Sequence, residues 1–469
     1  MLIEVNRGRT GRKLVGAPGL LICSLLGFGL LASTQAFAVD LVGVHDLALK
    51  NDPRLRAAEY RRDATGENKT QAWANLLPDL SADGSLARGN TKVNIAATEF
   101  TDPYSDKSDI NTDNWGVTLR QSLYRQANYE SLDIARAQIS EADAVYQIAF
   151  EDFLLRVAER YFLVLTLTDG VTFAEAEEKA FQRQYEQAEQ RFEVGLTAVT
   201  DVHEAKASYD NARARAIVAR NNLADAKEAL RELTGTYFEE YDALQPILPL
   251  VEPEPPNSED WVQMALTSNP SVMALHAGVD VAESNVRLQR SGHYPTLDLV
   301  ASYNDSTNND LVIRNDFQEE IASTSQGVKD TRVQLLLNIP IYQGGRVTSR
   351  TRQAQYLLDA TTEDLDDVQR STVRQTRNAY RGVLGSIEEV GAFGQALISA
   401  QSAVEATQAG FEVGTRTIVD VLIAEQRFYQ AQRDNSLARH TYILNHLRLK
   451  RVAGLLTSED LQVVNQLLE

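Results

Sequence analysis

The strongest constraint on this chain is the placement of its prolines. Gln126 to Glu193 contains none and only one glycine, Gly170, and Gly345 to Glu412 again contains none. Proline in a helix interior costs about 3 kcal/mol or more, so each run is free to be one unbroken helix. At 1.5 Å per residue such a helix is a rod of roughly 100 Å, longer than any compact domain accommodates. Shorter proline-free stretches follow each rod, at about 200 to 234 and 418 to 453, and precede it, at about 54 to 77 and 271 to 294.

The similarity of the two arrangements extends to the residues themselves. Asn51-Asp52-Pro53 answers to Ser268-Asn269-Pro270, and Pro78-Asp79-Leu80 to Pro295-Thr296-Leu297. Gln121-Ser122-Leu123-Tyr124 answers to Ile339-Pro340-Ile341-Tyr342, and Phe192-Glu193-Val194-Gly195 to Phe411-Glu412-Val413-Gly414. The chain is one design used twice, a repeat in tandem. The expected organisation is a leader over 1–38, a first repeat over 39–234, a proline-rich strap over 235–267, a second repeat over 268–454 and a C-terminal segment over 455–469. The strap carries five prolines between Pro246 and Pro256.

The returning stretches carry coiled-coil periodicity. Val202, Ala205, Tyr209, Ala212, Ala216, Ala219, Leu223, Ala226, Leu230 and Leu233 step by three and four, the 3.5-residue period of a left-handed supercoil. The second copy, Val421, Ala424, Phe428, Ala431, Asn435, Ala438, Tyr442, Asn445, Leu449 and Val452, keeps the step with two asparagines, residues that set register at some cost in stability.

Between each short opening helix and each rod the period changes to two. Trp115, Val117, Leu119, Gln121 and Leu123 alternate with more polar neighbours, as do Val333, Leu335, Leu337, Ile339 and Ile341. Weaker alternation runs through Leu80, Ala82, Gly84 and Leu86, and through Leu297, Leu299, Ala301 and Tyr303. Four strands of about ten residues are predicted, each long enough to cross a bilayer, joined by polar loops at about 91 to 112 and 304 to 331. Open sheet edges are not tolerated in hydrocarbon, so the chain must oligomerise. Eight strands would be filled by side chains and twelve leave a lumen, which points to a trimer if the protein conducts.

The leader reads as a secretory signal: Arg7, Arg9, Arg12 and Lys13, then the apolar run Leu14 to Ala32, then Ala36-Phe37-Ala38 as cleavage site. A retained anchor is the alternative reading of the same run. Cys23 lacks the small residue before it that a lipoprotein signal needs, and it is the only cysteine. Disulfide frameworks, cysteine zinc sites and iron–sulfur clusters are thereby excluded. The formal charge is −19, from 46 basic and 65 acidic residues, the wrong sign for wrapping a nucleic acid. Loss of four basic residues and one acidic residue with the leader makes it −22. No catalytic or nucleotide-binding motif is present, so no enzyme and no cofactor is expected. A secreted coiled-coil structural or adhesive protein is the competing reading, but it leaves the matched strands of the two halves unexplained.

Taken together these residues resemble the TolC family of outer-membrane factors, the trimeric exit ducts of efflux pumps and type I secretion systems. The resemblance spans the mature chain and is most specific in Phe192 to Val202, Val413 to Val421 and Ile339-Pro340-Ile341-Tyr342-Gln343-Gly344-Gly345. It implies an α+β membrane protein: a trimeric twelve-stranded outer-membrane barrel, four strands per protomer, continuous with a periplasmic α-helical coiled-coil barrel. It implies hairpin tips at Gly195-Leu196-Thr197 and Gly414-Thr415-Arg416 that dock a periplasmic adaptor, and an inner-membrane transporter of RND, ABC or MFS type that supplies energy. It further implies that Arg416 ties to Thr200 and Asp201 of a neighbouring protomer, and that Asp420 forms an acidic ring at the narrowest point. Two departures accompany it: Ile423 stands where a second acidic ring belongs, and Phe411 where a tyrosine partner of Asp201 belongs, so the gate is expected to open more easily. Independently of the family, Asp201 with Glu204 three residues on reads as a capping box, and Asp420 as a solvated acid at a helix N-terminus.

Overall fold

The computed structural model describes residues 38–95, 104–314 and 320–469. The leader lies almost wholly outside these residues. In chain order the elements are α1 (Leu41–Asn51), α2 (Pro53–Ala74), β1 (Asp79–Ile95), β2 (Tyr104–Tyr124), α3 (Gln126–Glu193), α4 (Val199–Thr234), α5 (Ser258–Ser268), α6 (Pro270–Arg290), β3 (Thr296–Arg314), β4 (Glu320–Asn338), α7 (Arg346–Glu412), α8 (Ile418–Ala453) and α9 (Ser458–Asn465). The rods are α3, 68 residues, and α7, 67 residues. Within the stretch read as a strap, Ser258–Ser268 is helical: α5 precedes Asn269-Pro270 as α1 precedes Asp52-Pro53.

The Asp-Pro and Asn-Pro pairs start α2 and α6 by the same chemistry. Asp52 accepts from the Arg54 amide at 2.7 Å and Asn269 from the Ser271 amide at 2.8 Å, each with proline at the first helical position, where a missing N–H costs nothing. The amides of Asn51 and Asn269 then donate to the last carbonyls of the returning helices, Asn51 to Thr234 at 2.6 Å and Asn269 to Val452 at 2.7 Å. These bonds place α2 end to end with α4 along α3, and α6 end to end with α8 along α7. No position of the two predicted seams is exposed. Asn445 uses its place in the seam to donate to the Gly382 carbonyl of α7 at 3.2 Å.

The main core lies where the short helices meet. Phe153, Leu154, Val157, Tyr161 and Phe162 of α3 are completely buried against α1, α4, α8 and the C-terminal segment, through Leu41, Leu230, Ile443 and Leu461. The Tyr161 hydroxyl donates to the Asp242 carbonyl at 2.9 Å, and Val39 bridges Tyr241, so the stretch after α4 is fastened to this core.

The sheet is antiparallel in the order β1-β2-β3-β4, with Asp79 opposite Arg120, Arg120 opposite Val300 and Val300 opposite Gln334. The strands are 17 to 21 residues long, not about ten. Most of the stretches read as loops are ladder, and the rest, 96–103 and 315–319, lies outside the described residues. The extensions carry little apolar alternation; cross-strand polar pairs hold them, as Thr112 Oγ1 donating to Asn308 Oδ1 at 2.8 Å. Nearer the rods, Val333, Leu335, Leu337, Leu80 and Leu86 are exposed on the sheet surface. No helix among the described residues is long and apolar enough to cross a membrane.

Candidate functional site: the paired hairpin tips

Each rod leaves the sheet and ends about 100 Å away in a tight turn. At the first tip Gly195 has φ +78° and the Leu196 amide donates back to Arg191 at 2.8 Å; at the second Gly414 has φ +80° and the Thr415 amide donates to Gly410 at 2.9 Å. This is the glycine-terminated helix end that satisfies orphan carbonyls, and it requires the left-handed backbone that glycine adopts without strain. Val194, Leu196 and Val413 project from the tips, each more than two-thirds exposed.

The two tips are neighbours within one protomer. Ile418 and Leu422 of α8 are buried against Phe181 and Ala188 of α3 and Ala205 of α4. The Arg191 guanidinium lies over the Phe411 ring, 4.7 Å from its centre. Phe411 therefore accepts a cation on its face and packs into this cluster.

The returning helices start differently. The α8 N-cap is Thr417, whose Oγ1 accepts from the Asp420 amide at 3.2 Å while the Asp420 carboxylate accepts from the Thr417 amide and hydroxyl, both at 2.9 Å. These bonds from the Thr417 backbone and hydroxyl, with the nearby Arg416 charge, hold the Asp420 carboxyl below the usual carboxylate range. The capping box expected at Asp201 and Glu204 does not form. The α4 N-cap is Ala198, without a side-chain bond, and Asp201 sits a turn inside, accepting from the Thr197 hydroxyl. The helix begins three residues earlier than a cap at Asp201 requires, and Ala198 occupies the position that Thr417 fills in the second copy.

Arg416 is exposed, and its stem crosses the end of α7: a Cβ at Gly410 would lie 2.8 Å from Arg416 Cγ, so any larger residue there would displace the arginine stem. Among the described residues no ion pair within the protomer engages Arg416. Thr200 is exposed, and Ile423 is 42% exposed.

Further up the rods the structure brings together groups that sequence reasoning missed. Glu177 of α3, completely buried, meets Arg215 of α4 at 2.8 Å and Arg433 of α8 at 3.2 Å. One turn or two nearer the tips, Gln184 of α3 donates to Glu425 of α8 at 3.1 Å, and burial pushes the Glu425 carboxyl above its ordinary range. Glu177 interrupts the apolar face of α3, which is a signal in sequence, but its two arginines become visible only once α8 is packed on α3. Among the described residues no cluster of three or more histidine, cysteine, aspartate or glutamate side chains could hold a metal ion.

Each protomer thus has two rods running the same way from the sheet, returning coils packed on their lower halves, and a sheet with β1 and β4 at its edges. Comparison with known proteins places the chain in a family. The model of the family described as "Outer membrane efflux protein" matches residues 44–236 and 261–455. The outer membrane protein TolC of Vibrio cholerae is 37% identical over 433 residues, covering 92% of this chain and 94% of that protein. The alkaline protease secretion protein AprF of Pseudomonas aeruginosa is 30% identical over 446 residues, covering 93% and 89%. Among solved structures, the CmeC outer membrane channel of Campylobacter jejuni superimposes with a TM-score of 0.72 at 15% identity, over 96% of this chain and 98% of that one. The chain belongs to the outer membrane efflux protein family and is a TolC-type outer-membrane factor. It resides in the outer membrane of a Gram-negative bacterium, with its rods in the periplasm.

Proposed function

We propose that three copies of this chain close a twelve-stranded barrel over a helical tunnel and act as a passive exit duct for tripartite efflux or type I secretion, without a catalytic step of their own. The observation that carries this reading is the sheet, in which β1 and β4 are edge strands without an outer partner among the described residues while apolar side chains such as Leu80, Leu86, Val333, Leu335 and Leu337 are exposed on it. The similarity to TolC and to a protease secretion protein supports both kinds of cargo route. Energy comes from an inner-membrane transporter coupled through a periplasmic adaptor, which docks on the exposed Val194, Leu196 and Val413 around Gly195-Leu196-Thr197 and Gly414-Thr415-Arg416. The segments 235–257 and 455–469 girdle the rods at mid-height.

The gate in this reading is made between protomers. Arg416, which no ion pair engages among the described residues of its own protomer, reaches Thr200 and Asp201 of the next, a guanidinium fork meeting a hydroxyl and a carboxylate. Three Asp420 carboxylates ring the narrowest point and, with a total formal charge near −66 for the mature trimer, favour cations. Ile423 adds no second ring. Phe411, committed to Arg191, gives Asp201 no hydroxyl, so the closed state is held by fewer ties.

Single-channel recording in planar bilayers tests this directly. Wild type should give a small cation-selective current, and Arg416→Ser a current several-fold larger. Absence of current from both, with insertion verified, would remove the duct and leave a coiled-coil scaffold.

A further inference from the structure

The second rod is weakened at one level where the first is not. Gly382, Gly385, Gly391 and Gly394 lie inside α7, where glycine is less favourable than alanine because its backbone has more freedom to lose. Packing within the protomer does not require them. A Cβ would meet nothing closer than 4.0 Å at Gly382 and 3.9 Å at Gly394, and nothing within 4 Å at Gly385 or Gly391. At 3.6 residues per turn the four point in directions of about 0°, 300°, 180° and 120° around the axis, so no single neighbouring surface accounts for all of them. The matching positions of α3, by the spacing that relates Gly195 to Gly414, are Leu163, Thr166, Thr172 and Glu175, and α3 has Gly170 alone at this level.

Other features of the same stretch act in the same direction. Asn445 of α8 donates to the Gly382 carbonyl at 3.2 Å, and Gly385 is followed by Ser386, whose hydroxyl donates to the Val383 carbonyl at 2.7 Å. Helices bend where a side chain engages a ladder carbonyl and where glycine stands beside serine. The helix packed on this stretch is loosened with it: Asn435 and Asn445 hold seam positions where α4 has the buried Ala216 and Ala226. Beside Asn435 and Ser436 a cavity of about 540 Å³ separates α8 from Phe173 of α3 and Leu223 of α4, which leaves α8 room to shift. Just above, α7 is clamped, with Tyr380 and Val383 buried among Trp261, Leu449 and Ala453. Beyond Ser386 no residue of α7 is buried, and Phe411 at the far end packs on the tip cluster.

We infer that Gly382 to Gly394 is a hinge, about which the lower arm of α7, with α8 following at its seam asparagines, swings against the α3/α4 hairpin when the tips part. This rests on the gate proposed above and assigns the place where its movement is absorbed: α7 just below the clamp, not the tips and not the mid-height core. The arm from Gly394 to Gly414 is roughly 30 Å long, so a bend of about 15° carries its tip about 8 Å. That is twice the reach of a guanidinium–carboxylate tie, about 4 Å. The glycines lower the cost of the bend, and where few ties hold the tips together that cost sets how readily they separate.

Stiffening the hinge without touching the tips tests this. Gly382→Ala, Gly385→Ala, Gly391→Ala and Gly394→Ala are made together, alone and with Arg416→Ser, and currents are recorded in planar bilayers. The four alanines should leave the small wild-type current as it is and cut the enlarged current of Arg416→Ser by about threefold or more. Gly391→Ala with Gly394→Ala should give part of that effect. Gly66→Ala, the same change at an open position of α2, should leave the Arg416→Ser current unaltered. Amide exchange read by mass spectrometry on the same proteins should be about tenfold faster over 382–394 than over 163–175, and the four alanines should close most of that difference. An enlarged Arg416→Ser current that the four alanines do not reduce would overturn the hinge and leave the gate standing. An Arg416→Ser current no larger than wild type would overturn the gate, and exchange over 382–394 no faster than over 163–175 would remove the hinge as well.

Discussion

The two rods have nearly the same length and the same turn at their ends, yet they are buried very differently. α3 is covered by α2 and α4 on one side and by α6 and α8 on the other, and its buried residues run from Glu130 to Ala188. α7 has its own hairpin partner α8, with α5 and α6, and none of its residues beyond Ser386 is buried. Duplication copied the backbone plan, while packing made one copy the spine of the protomer and left the other as its flank. A helix of 67 residues with one bare side is a surface waiting for a neighbour, which is why the asymmetry between α3 and α7 carries information about assembly.

The largest effect that tests this comparison lies at Glu177. At the equivalent place α7 has Ala396, which is exposed. Glu177→Ala would leave Arg215 and Arg433, whose side chains are 41% and 32% exposed, without their shared carboxylate, and losing hydrogen bonds to a charged group costs about 1.5–3 kcal/mol. Thermal or denaturant unfolding followed by circular dichroism should show a loss of that order, with Glu177→Gln intermediate. A loss below 1 kcal/mol would mean that α3 is not the spine.

A second asymmetry is acid sensitivity. His440 of α8 is buried between the Thr166 hydroxyl, 2.8 Å from Nδ1, and the Phe162 ring, and its counterpart on α4 is the exposed Asn221. Burial depresses its pKa from 6.5 to about 4, with Asp169 opposing and Arg439 assisting the shift. A depressed folded pKa contributes stability that is present above 6.5 and is lost as pH falls through 6.5 toward 4. The loss is on the order of 3 kcal/mol. It should appear as a falling unfolding midpoint over that window that His440→Gln flattens; an unchanged slope in the variant would place the acid sensitivity elsewhere.

How much of this was legible beforehand follows from what each feature depends on. The rods, the returning coils and the strand positions are written in proline placement and in periods of 3.5 and two, which are local. The sequence suggests strands of half the observed length because the outer part of β2, through Thr112, Asp113 and Asn114, has no apolar alternation, and its place in the sheet comes from ladder pairing to β1 and β3. The tips were found through their glycines, but which acid caps which helix was not: the choice turns on Thr417 against Ala198, one residue in each copy. The Glu177 cluster joins residues up to 256 positions apart and exists only in the packed chain.

The smallest predicted effects isolate the difference between the tips themselves. Thr417→Ala removes the hydroxyl that accepts from the Asp420 amide and should cost about 1 kcal/mol, the usual value of an N-cap. Its local signature is faster amide exchange over the first turn of α8, from Ile418 to Leu422, with no change at α4. The reverse substitution, Ala198→Thr, gives the first copy the cap it lacks. Asp201 stands three residues on, as Asp420 does from Thr417, so a reciprocal box becomes available. The gain should be smaller, a few tenths of a kcal/mol to about 1, because Asp201 must give up the Thr197 hydroxyl to make it. That exchange is what makes the variant informative. If Asp201 also holds a neighbouring Arg416, drawing its carboxylate into a cap takes it from the gate, and single-channel current should rise together with amide protection at Thr200 and Asp201. Higher protection with unchanged current would show that the acid of the first tip serves its own helix and that the tie across protomers does not depend on it.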